Sequence, residues 1–528
     1  MISRTKLFLA VLALSSAVFA SSKTSSQDSD KYDYLYKGLP FEMPKLKAPV
    51  FPANKVSIAD FGVIGNGVDI CTDAFKKAIE TLSKKGGGQL NVPSGVWFTG
   101  PIELKNNINL HLEKGAIILF SPNVDLYPLV ETVFEGLDTR RCQSPISGRN
   151  LTNVAITGEG AIDGNGDCWR PVKKQKVTEG QWKEFTSRGG AYKRDDYWFP
   201  SEKTLLGDKI ADMNVPRNLK TEEEWLAVKN FLRPVMVSLI ECKNVYLQGV
   251  IFQNSPAWNL HPLMCENVII EGVSVRNPSY AQNGDGLDLE SCKNALIINS
   301  TFDVGDDGIC LKSGKDEDGR RRARPCENVI VDNCTVFKGH GGFVVGSEMS
   351  GGVKNVMVTN CKFLGTDVGL RFKSRRGRGG VVENIYIRDL SMMDIATDPL
   401  LFDLYYAGKS AVEVLEDGDE NKPRTVVLPK VDETTPAFKN IHVKGLNCSN
   451  ARRAMFFNGL PEQNIHGITI EDVFITSKIG AEIAESDHIK LNNVTIHPKE
   501  GPALLIRNCK EVNIKGFKGE IKRINTPE

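Results

Sequence analysis

Cys242-Lys-Asn-Val-Tyr-Leu-Gln-Gly-Val250 is followed by Cys265-Glu-Asn-Val-Ile-Ile-Glu-Gly-Val273, Cys292-Lys-Asn-Ala-Leu-Ile-Ile-Asn-Ser300 and Cys326-Glu-Asn-Val-Ile-Val-Asp-Asn-Cys334. The frame returns at Val353-Lys-Asn355, Val382-Glu-Asn384, Phe438-Lys-Asn440, Gln463-Asn-Ile465 and Cys509-Lys-Glu511. Each unit is a short alternating run of Val and Ile bounded by Asn, Gly or Cys, the pattern of a strand between turns. Asn244 and Asn267 are 23 residues apart, and Asn267 and Asn294 are 27 apart. That length holds one coil of about three short strands. A lone coil cannot bury its inner face, so successive coils must stack. The leucine consensus of a leucine-rich repeat is absent, and Asn-Gly hairpin turns are too scarce for a sandwich. The repeat therefore predicts an all-β fold, a right-handed single-stranded parallel β-helix. Asn suits its turns because it tolerates the left-handed conformation and can bond its own backbone.

The flanking sequence fits the same plan. Arg4 and Lys6 precede the apolar run Leu7–Leu14 and the small-residue stretch Ala17–Ala20, so residues 1–20 read as a signal peptide and the protein as exported, periplasmic or extracellular. Residues 21–54 form a lead-in, and 55–528 the β-helix. Within it, Ala74, Phe75, Ala78, Ile79 and Leu82 mark one face of a helix stopped at Gly86–Gly88, suited to cap the open strand edge. Two stretches break the repeat, at about 167–232 and 397–436. The first holds Trp169, Trp182, Trp198 and Trp225 and a capping box opening at Thr221. Insertions in repeat proteins tend to sit on the binding face.

Charged residues make up 25% of the chain and the net charge is +1, which argues against bulk attraction to nucleic acid or to an anionic membrane. Of the twelve cysteines, Cys242, Cys265, Cys292, Cys326 and Cys509 share one phase of the repeat. Same-phase residues stack, so free buried thiols are expected rather than disulfides. No CxxC pair or zinc-spaced His/Cys group is present, and no metal or cofactor is implied.

Four polar clusters fall in consecutive repeats: Asn283-Gly-Asp285, Gly305-Asp306-Asp307, Gly339-His340-Gly341 and Arg371-Phe-Lys373. Each has a plain reading. The aspartates suit Asx turns or a calcium site, His340 a turn, and Arg371 and Lys373 a charged surface. Together on one face of one solenoid they are a costly like-charge group unless used. They also match the needs of glycosidic hydrolysis with inversion, in which one carboxyl protonates the leaving oxygen and another activates water. Cations beside them suit a substrate that bears carboxylates.

These clusters resemble the NTD, DD, GHG and RIK motifs of glycoside hydrolase family 28, in the same order, with Ser255–Pro262, Leu311–Gly314 and Val345–Gly352 also similar. The resemblance covers nearly the whole chain after about residue 55, apart from the insertions. It implies a pectin-lyase-like solenoid that cleaves α-1,4-galacturonosidic bonds of pectic polysaccharide or oligogalacturonide. Asp306 would be the general acid. Asp285 and Asp307 would hold and activate the attacking water, and His340 would help set the acid's protonation. Asn283, Arg371 and Lys373 would bind substrate, the two cations gripping a galacturonate carboxylate. A family tyrosine corresponds to Tyr405 or Tyr406. Gly284, Gly308 and Phe372 depart from the motifs without removing a functional group. The alternatives are an endo-acting enzyme, a rhamnogalacturonan hydrolase, a calcium-dependent pectate lyase and a non-catalytic carbohydrate-binding β-helix. No sequence feature fixes an oligomeric state.

Three finer expectations follow. The carboxyls of Asp306 and a partner aspartate should lie about 6.5–9.5 Å apart, the inverting range. The tryptophans of the first insertion, with the run Arg188–Arg194, should stack on and hold a chain end, making the enzyme exo-acting. Arg320, Arg321, Arg322 and Arg324 should form a basic loop beside the substrate.

Overall fold

In the computed structural model, residues 31–406 and 428–524 are described; the signal segment and part of the second insertion lie outside them. Thirty-three strands join in one parallel, coil-to-coil hydrogen-bonded array, the right-handed β-helix expected. One ladder runs through strands Ile108–Leu112, Thr152–Gly158, Lys243–Gln248, Glu266–Glu271, Lys293–Ile298, Cys326–Asp332 and Val353–Thr359. Within it Val245, Val268, Ala295, Val329 and Val356 occupy one register row, all fully buried. The period-2 alternation read from the sequence thus becomes an inner stack with a rise of about 4.8 Å per coil.

The turn Asn is used in a way the repeat alone did not show. Asn107, Asn153, Asn244, Asn267, Asn294, Asn328, Asn355, Asn384 and Asn440 all have φ between 53° and 60°. Their side chains bond to each other rather than to their own backbones. Asn244 Nδ2 donates to Asn153 Oδ1 at 2.9 Å, Asn267 to Asn244 at 3.0 Å, Asn294 to Asn267 at 3.1 Å and Asn328 to Asn294 at 3.1 Å. The chain of amides continues unbroken to Asn440. Each amide donates to one neighbour and accepts from the next, so burying the turn leaves neither atom without a partner.

Helix Thr72–Lys84 buries the predicted face and closes the N-terminal end. The lead-in lies along the outside of the solenoid, with Tyr32, Leu35 and Leu46 packed on Ile269, Leu296, Ile298 and Ile330. Insertion 167–232 forms helices Glu179–Ser187, Glu202–Asp208 and Glu222–Val228 and a small sheet, and Thr221 and Glu224 make the capping box. Its tryptophans are not a sugar platform. Trp169 packs edge-on to Tyr127, Trp198 is buried and donates to Gly189 O, Trp225 lies under Arg140, and half-buried Trp182 packs beside Phe185. Arg188, Lys193 and Arg194 are likewise engaged, with Glu184, Asp208 and Asp196. An insertion this long needs a core of its own, and these aromatics supply it.

All twelve cysteines are free, ten of them buried. Cys265 and Cys292 point their thiols at the carbonyls of Leu239 and Pro262 one coil below. Burial pushes Cys142 and Cys326 up to about 12, which keeps them as unreactive thiols. A native thiol titration should therefore count at most about two groups, the half-buried Cys168 and Cys509. Denaturation without reductant should release all twelve. A lower count after denaturation would reveal a disulfide and contradict the stacked arrangement.

Candidate active site

The site sits on one outward face, built by strands Val237–Ile240, Leu260–Leu263, Leu287–Glu290, Asp307–Lys312, Gly341–Gly346 and Leu370–Lys373. Register sets its rows. Asp288 pairs with Cys310, Cys310 with Val344 and Val344 with Arg371; Glu290 pairs with Lys312, and Gly346 with Lys373. Asp285 and Asp306 lie just before the strands and Asp307 opens one, so the three carboxylates gather at the edge of the sheet. One oxygen from each lies within 4.8 Å of the others.

These are nearest-oxygen contacts, a shorter measure than the separation of whole carboxyl groups that the inverting range describes. Oxygens this close can accept one water between them, with each contact about 2.8 Å. The trio is thus tight enough to share a water and too tight to carry three charges alone.

Its environment separates the three. Asp307 is buried and clamped, with Arg371 Nη1 3.0 Å from Oδ1 and Lys373 Nζ 2.7 Å from Oδ2. Burial works against its charge, but Lys373 and Arg371 outweigh it and hold the carboxyl far below the ordinary range. Asp285 has no such clamp. Burial, then the charges of Asp288 and Asp306, push it well above the ordinary range, and its Oδ1 has no hydrogen-bond partner. Asp306 is the exposed member, its side chain 23% accessible against 4% and 2% for Asp285 and Asp307. Burial again opposes its charge, while the His340 Nδ1 contact at 3.3 Å holds it below the usual value. The same contact raises His340, whose Nε2 lies 3.8 Å from Asp367.

The two glycines flanking His340 have separate reasons. Gly339 takes φ +77°, and a Cβ there would stand 2.6 Å from Asp306 O. At Gly341 a Cβ would stand 2.4 Å from Val344 Cγ2, and 3.3 Å from Asp307 Oδ1 and 3.4 Å from Arg371 Cδ, beside the clamp. GHG therefore leaves room for two aspartates as well as supplying an imidazole.

Several assignments change. Arg371 and Lys373 face Asp307 rather than open solvent, although Arg371 keeps a buried Nε without a partner and so has donors to spare. Asn283 accepts from buried Arg233 at 2.9 Å, which fixes the loop before Asp285. Of the two tyrosines, Tyr406 belongs to the site, its ring 5.1 Å from Lys373 Nζ and 5.9 Å from Arg371. Tyr405 instead sits under Arg376, which Glu462 holds. The arginine run is spent on structure, with Arg320 on the carbonyls of Gly377 and Arg378, Arg321 on Asp318, Arg322 on Asp138 and Arg324 facing Glu241.

Lys312 was not singled out, although it lies inside the Leu311–Gly314 match. It is buried, 3.2 Å from Asp288, 3.3 Å from Glu348 and 4.0 Å from Asp285, with the Trp258 ring 4.2 Å away. Burial opposes its charge, yet Asp288 and Glu348 hold it protonated, and Glu348 is correspondingly lowered to about 2. Asp288, where burial outweighs Lys312, rises to about 6. The carboxylate trio has the spacing of a cation site, but Lys312, Lys373 and Arg371 already supply the positive charge that such an ion would bring.

A wall flanks the trio on the side of the earlier coils. Strands Leu129–Phe134 and Leu137–Cys142 form an antiparallel hairpin whose tip reaches Gly136 O, which accepts from Lys315 N at 3.3 Å. Asn214 of the insertion holds Glu135 in the tip at 2.7 Å, and Phe134 stacks on Trp258 at 4.4 Å. Tyr197 of the insertion bonds Gln282, and Trp198 packs with Tyr280, so the wall abuts the loop leading into Asp285.

The family profile described as "Glycosyl hydrolases family 28" matches residues 226–477. A probable polygalacturonase from Vitis vinifera is 28% identical over 83% of this chain and 78% of its own. An endo-polygalacturonase from Pectobacterium carotovorum subsp. carotovorum is 28% identical over 71% of this chain and 87% of its own. The crystal structure of a hyperthermoactive exopolygalacturonase from Thermotoga maritima is 33% identical, with a TM-score of 0.66 over 86% of this chain and 94% of that one.

The opposed environments of Asp285 and Asp307 give opposite stability effects. Asp285 binds its proton more tightly folded than unfolded, so above about pH 4 its ionisation opposes folding, increasingly until its raised value is passed. Asp307 is depressed, so its pairing stabilises above about pH 4 and is lost as pH falls toward its folded value. Asp285→Asn should raise the urea midpoint at pH 7 and gain little near pH 4, whereas Asp307→Asn should cost about 3–5 kcal/mol at pH 7. Shifts of the same sign at pH 7 would contradict this division.

Proposed function

The chain belongs to glycosyl hydrolases family 28, and on that premise we propose that this O-glycosyl hydrolase is an exo-acting polygalacturonase releasing galacturonate units from chain ends. The observation that carries the exo reading is the wall of hairpin 129–142 and insertion 167–232 on one side of Asp285, Asp306 and Asp307. A polymer threaded through the cleft would have to pass it, whereas a chain end can stop against it. The 33% identity to the Thermotoga maritima exopolygalacturonase supports the same reading.

The chemistry follows from exposure and charge. Asp306 alone of the trio opens to the cleft, and geometry precedes proton affinity in choosing an acid. It donates to the leaving glycosidic oxygen as that bond breaks, while Asp285 and Asp307 hold the attacking water, whose proton passes to Asp285 once Asp285's own proton has moved to Asp306. Without substrate Asp285 holds a proton more tightly than Asp306, burial raising the one and the His340 contact lowering the other. A substrate carboxylate drawn to the spare donors of Arg371 and to Lys373 adds negative charge beside Asp306, raising its proton affinity when the proton is needed. Tyr406 lies against both cations and would border that carboxylate. The positive charge around the trio weighs against a calcium-dependent lyase.

A second reading, endo cleavage, is favoured by the Pectobacterium relative. Export through residues 1–20 belongs to the same proposal; no helix among the described residues is long and apolar enough to cross a membrane.

Two measurements decide these points. Asp306→Asn should fold normally and lower turnover on an oligogalacturonide by about 10²–10⁴; near-normal turnover would remove Asp306 from its role. On polygalacturonate, reducing ends should accumulate while viscosity falls slowly, with monogalacturonate as the first product and inverted anomeric configuration by NMR. A rapid viscosity collapse at low bond cleavage would establish the endo reading, and a retained configuration would rule out the shared-water arrangement.

A further inference from the structure

The left-handed turn position that carries Asn in nine coils changes occupant near the C-terminus. After Asn440 it passes to Gly467, His488 and Glu511, with φ of 68°, 51° and 49°. One residue earlier in the same register stand His466 and Asp487. Where the amide ladder stops, two imidazoles and two carboxylates take its place.

Their geometry converges on one point. His466 Nδ1 lies 2.5 Å from Asp487 Oδ1, and His488 Nδ1 lies 3.7 Å from the same oxygen. The rings are 4.6 Å apart, and one donor atom from each of the three residues falls within 4.8 Å of the others. The remaining nitrogen of His488, Nε2, is 2.9 Å from Glu511 Oε2. A carboxylate on the far nitrogen is how metal-bound histidines are oriented and made more basic. The two histidines are about half exposed, so an ion can reach them. A surface cavity of about 450 Å³ opens beside His466 and Asp487, leaving space for a further ligand.

We propose that His466, Asp487 and His488 bind a divalent metal of the zinc class, with Glu511 orienting His488, and that the ion ties together the coils beyond the amide ladder. Two imidazoles and one carboxylate are a zinc ligand set with one open position. Asp487 and Glu511 together balance the ion's two charges. The site lies five coils beyond Asp307, about 24 Å along the axis, and stands independently of the catalytic reading.

The test uses tag-free full-length protein stripped with chelator and titrated with Zn²⁺ alone. One ion per chain should bind by calorimetry and elemental analysis, and Tm should rise with Zn²⁺. The double variant His466→Ala/His488→Ala should lose both responses while keeping its β-sheet circular dichroism and its turnover. Glu511→Gln should bind about tenfold or more weakly. His497→Ala, on the same strand but packed against Phe474, should bind as the wild type does. The proposal is overturned if the wild type takes up no stoichiometric Zn²⁺, if the double variant binds equally well, or if saturating Zn²⁺ leaves Tm unmoved.

Discussion

A chain wound into a solenoid must come back to the same turn geometry in every coil, or the next coil falls out of phase. Here residues in the left-handed conformation make that return, and one of them in each of nine coils is an Asn of the ladder. An L residue there is strained, and Asn reduces the strain by bonding. Because the coils stack about 4.8 Å apart, the partner within reach is the same residue one coil away. The ladder from Asn107 to Asn440 therefore fixes register, and register decides which side chains share a row. A slip of one residue would turn every strand inside out.

The catalytic face depends on that phase. Asp285, Asp306 and Asp307 come from two successive coils, Gly341 and His340 from the next, and Arg371 and Lys373 from the one after. Residues 20 to 90 positions apart meet because each coil adds only one strand spacing. Like charges gathered in this way are tolerable because opposite charges arrive by the same geometry, Arg371 and Lys373 on Asp307 and Lys312 beneath Asp285.

What could be read from sequence was what repeats or what matches a motif. The coil, the helix Thr72–Lys84, the capping box at Thr221 and the reduced cysteines all follow from local periodicity or phase. The grouping of Asp285, Asp306, Asp307 and His340 was also legible, since their spacing equals coil lengths. Directions of side chains were not. That Arg371 faces Asp307, beside the space left at Gly341, is a packing fact with no local signal. Tryptophans suit both a sugar platform and a core, and only the fold of 167–232 shows that they build the core. The hairpin 129–142 was missed because its turn, Glu135-Gly136, carries no Asn-Gly or Asp-Gly mark. Lys312 had a signal, a lysine inside a matched stretch on a strand facing three carboxylates, that register could have exposed.

The wall and the proton are coupled. Phe134 of the hairpin stacks on Trp258, and Trp258 in turn covers Lys312, the cation nearest Asp285. The hairpin thus packs over the floor beneath the trio, where Lys312 is buried. Burial is the largest cause of the raised proton affinity of Asp285, so removing this layer would wet the floor and lower that affinity. The packing of the hairpin and the proton affinity of Asp285 are then set by one layer. Altering that layer would therefore alter the acid–base balance of the trio.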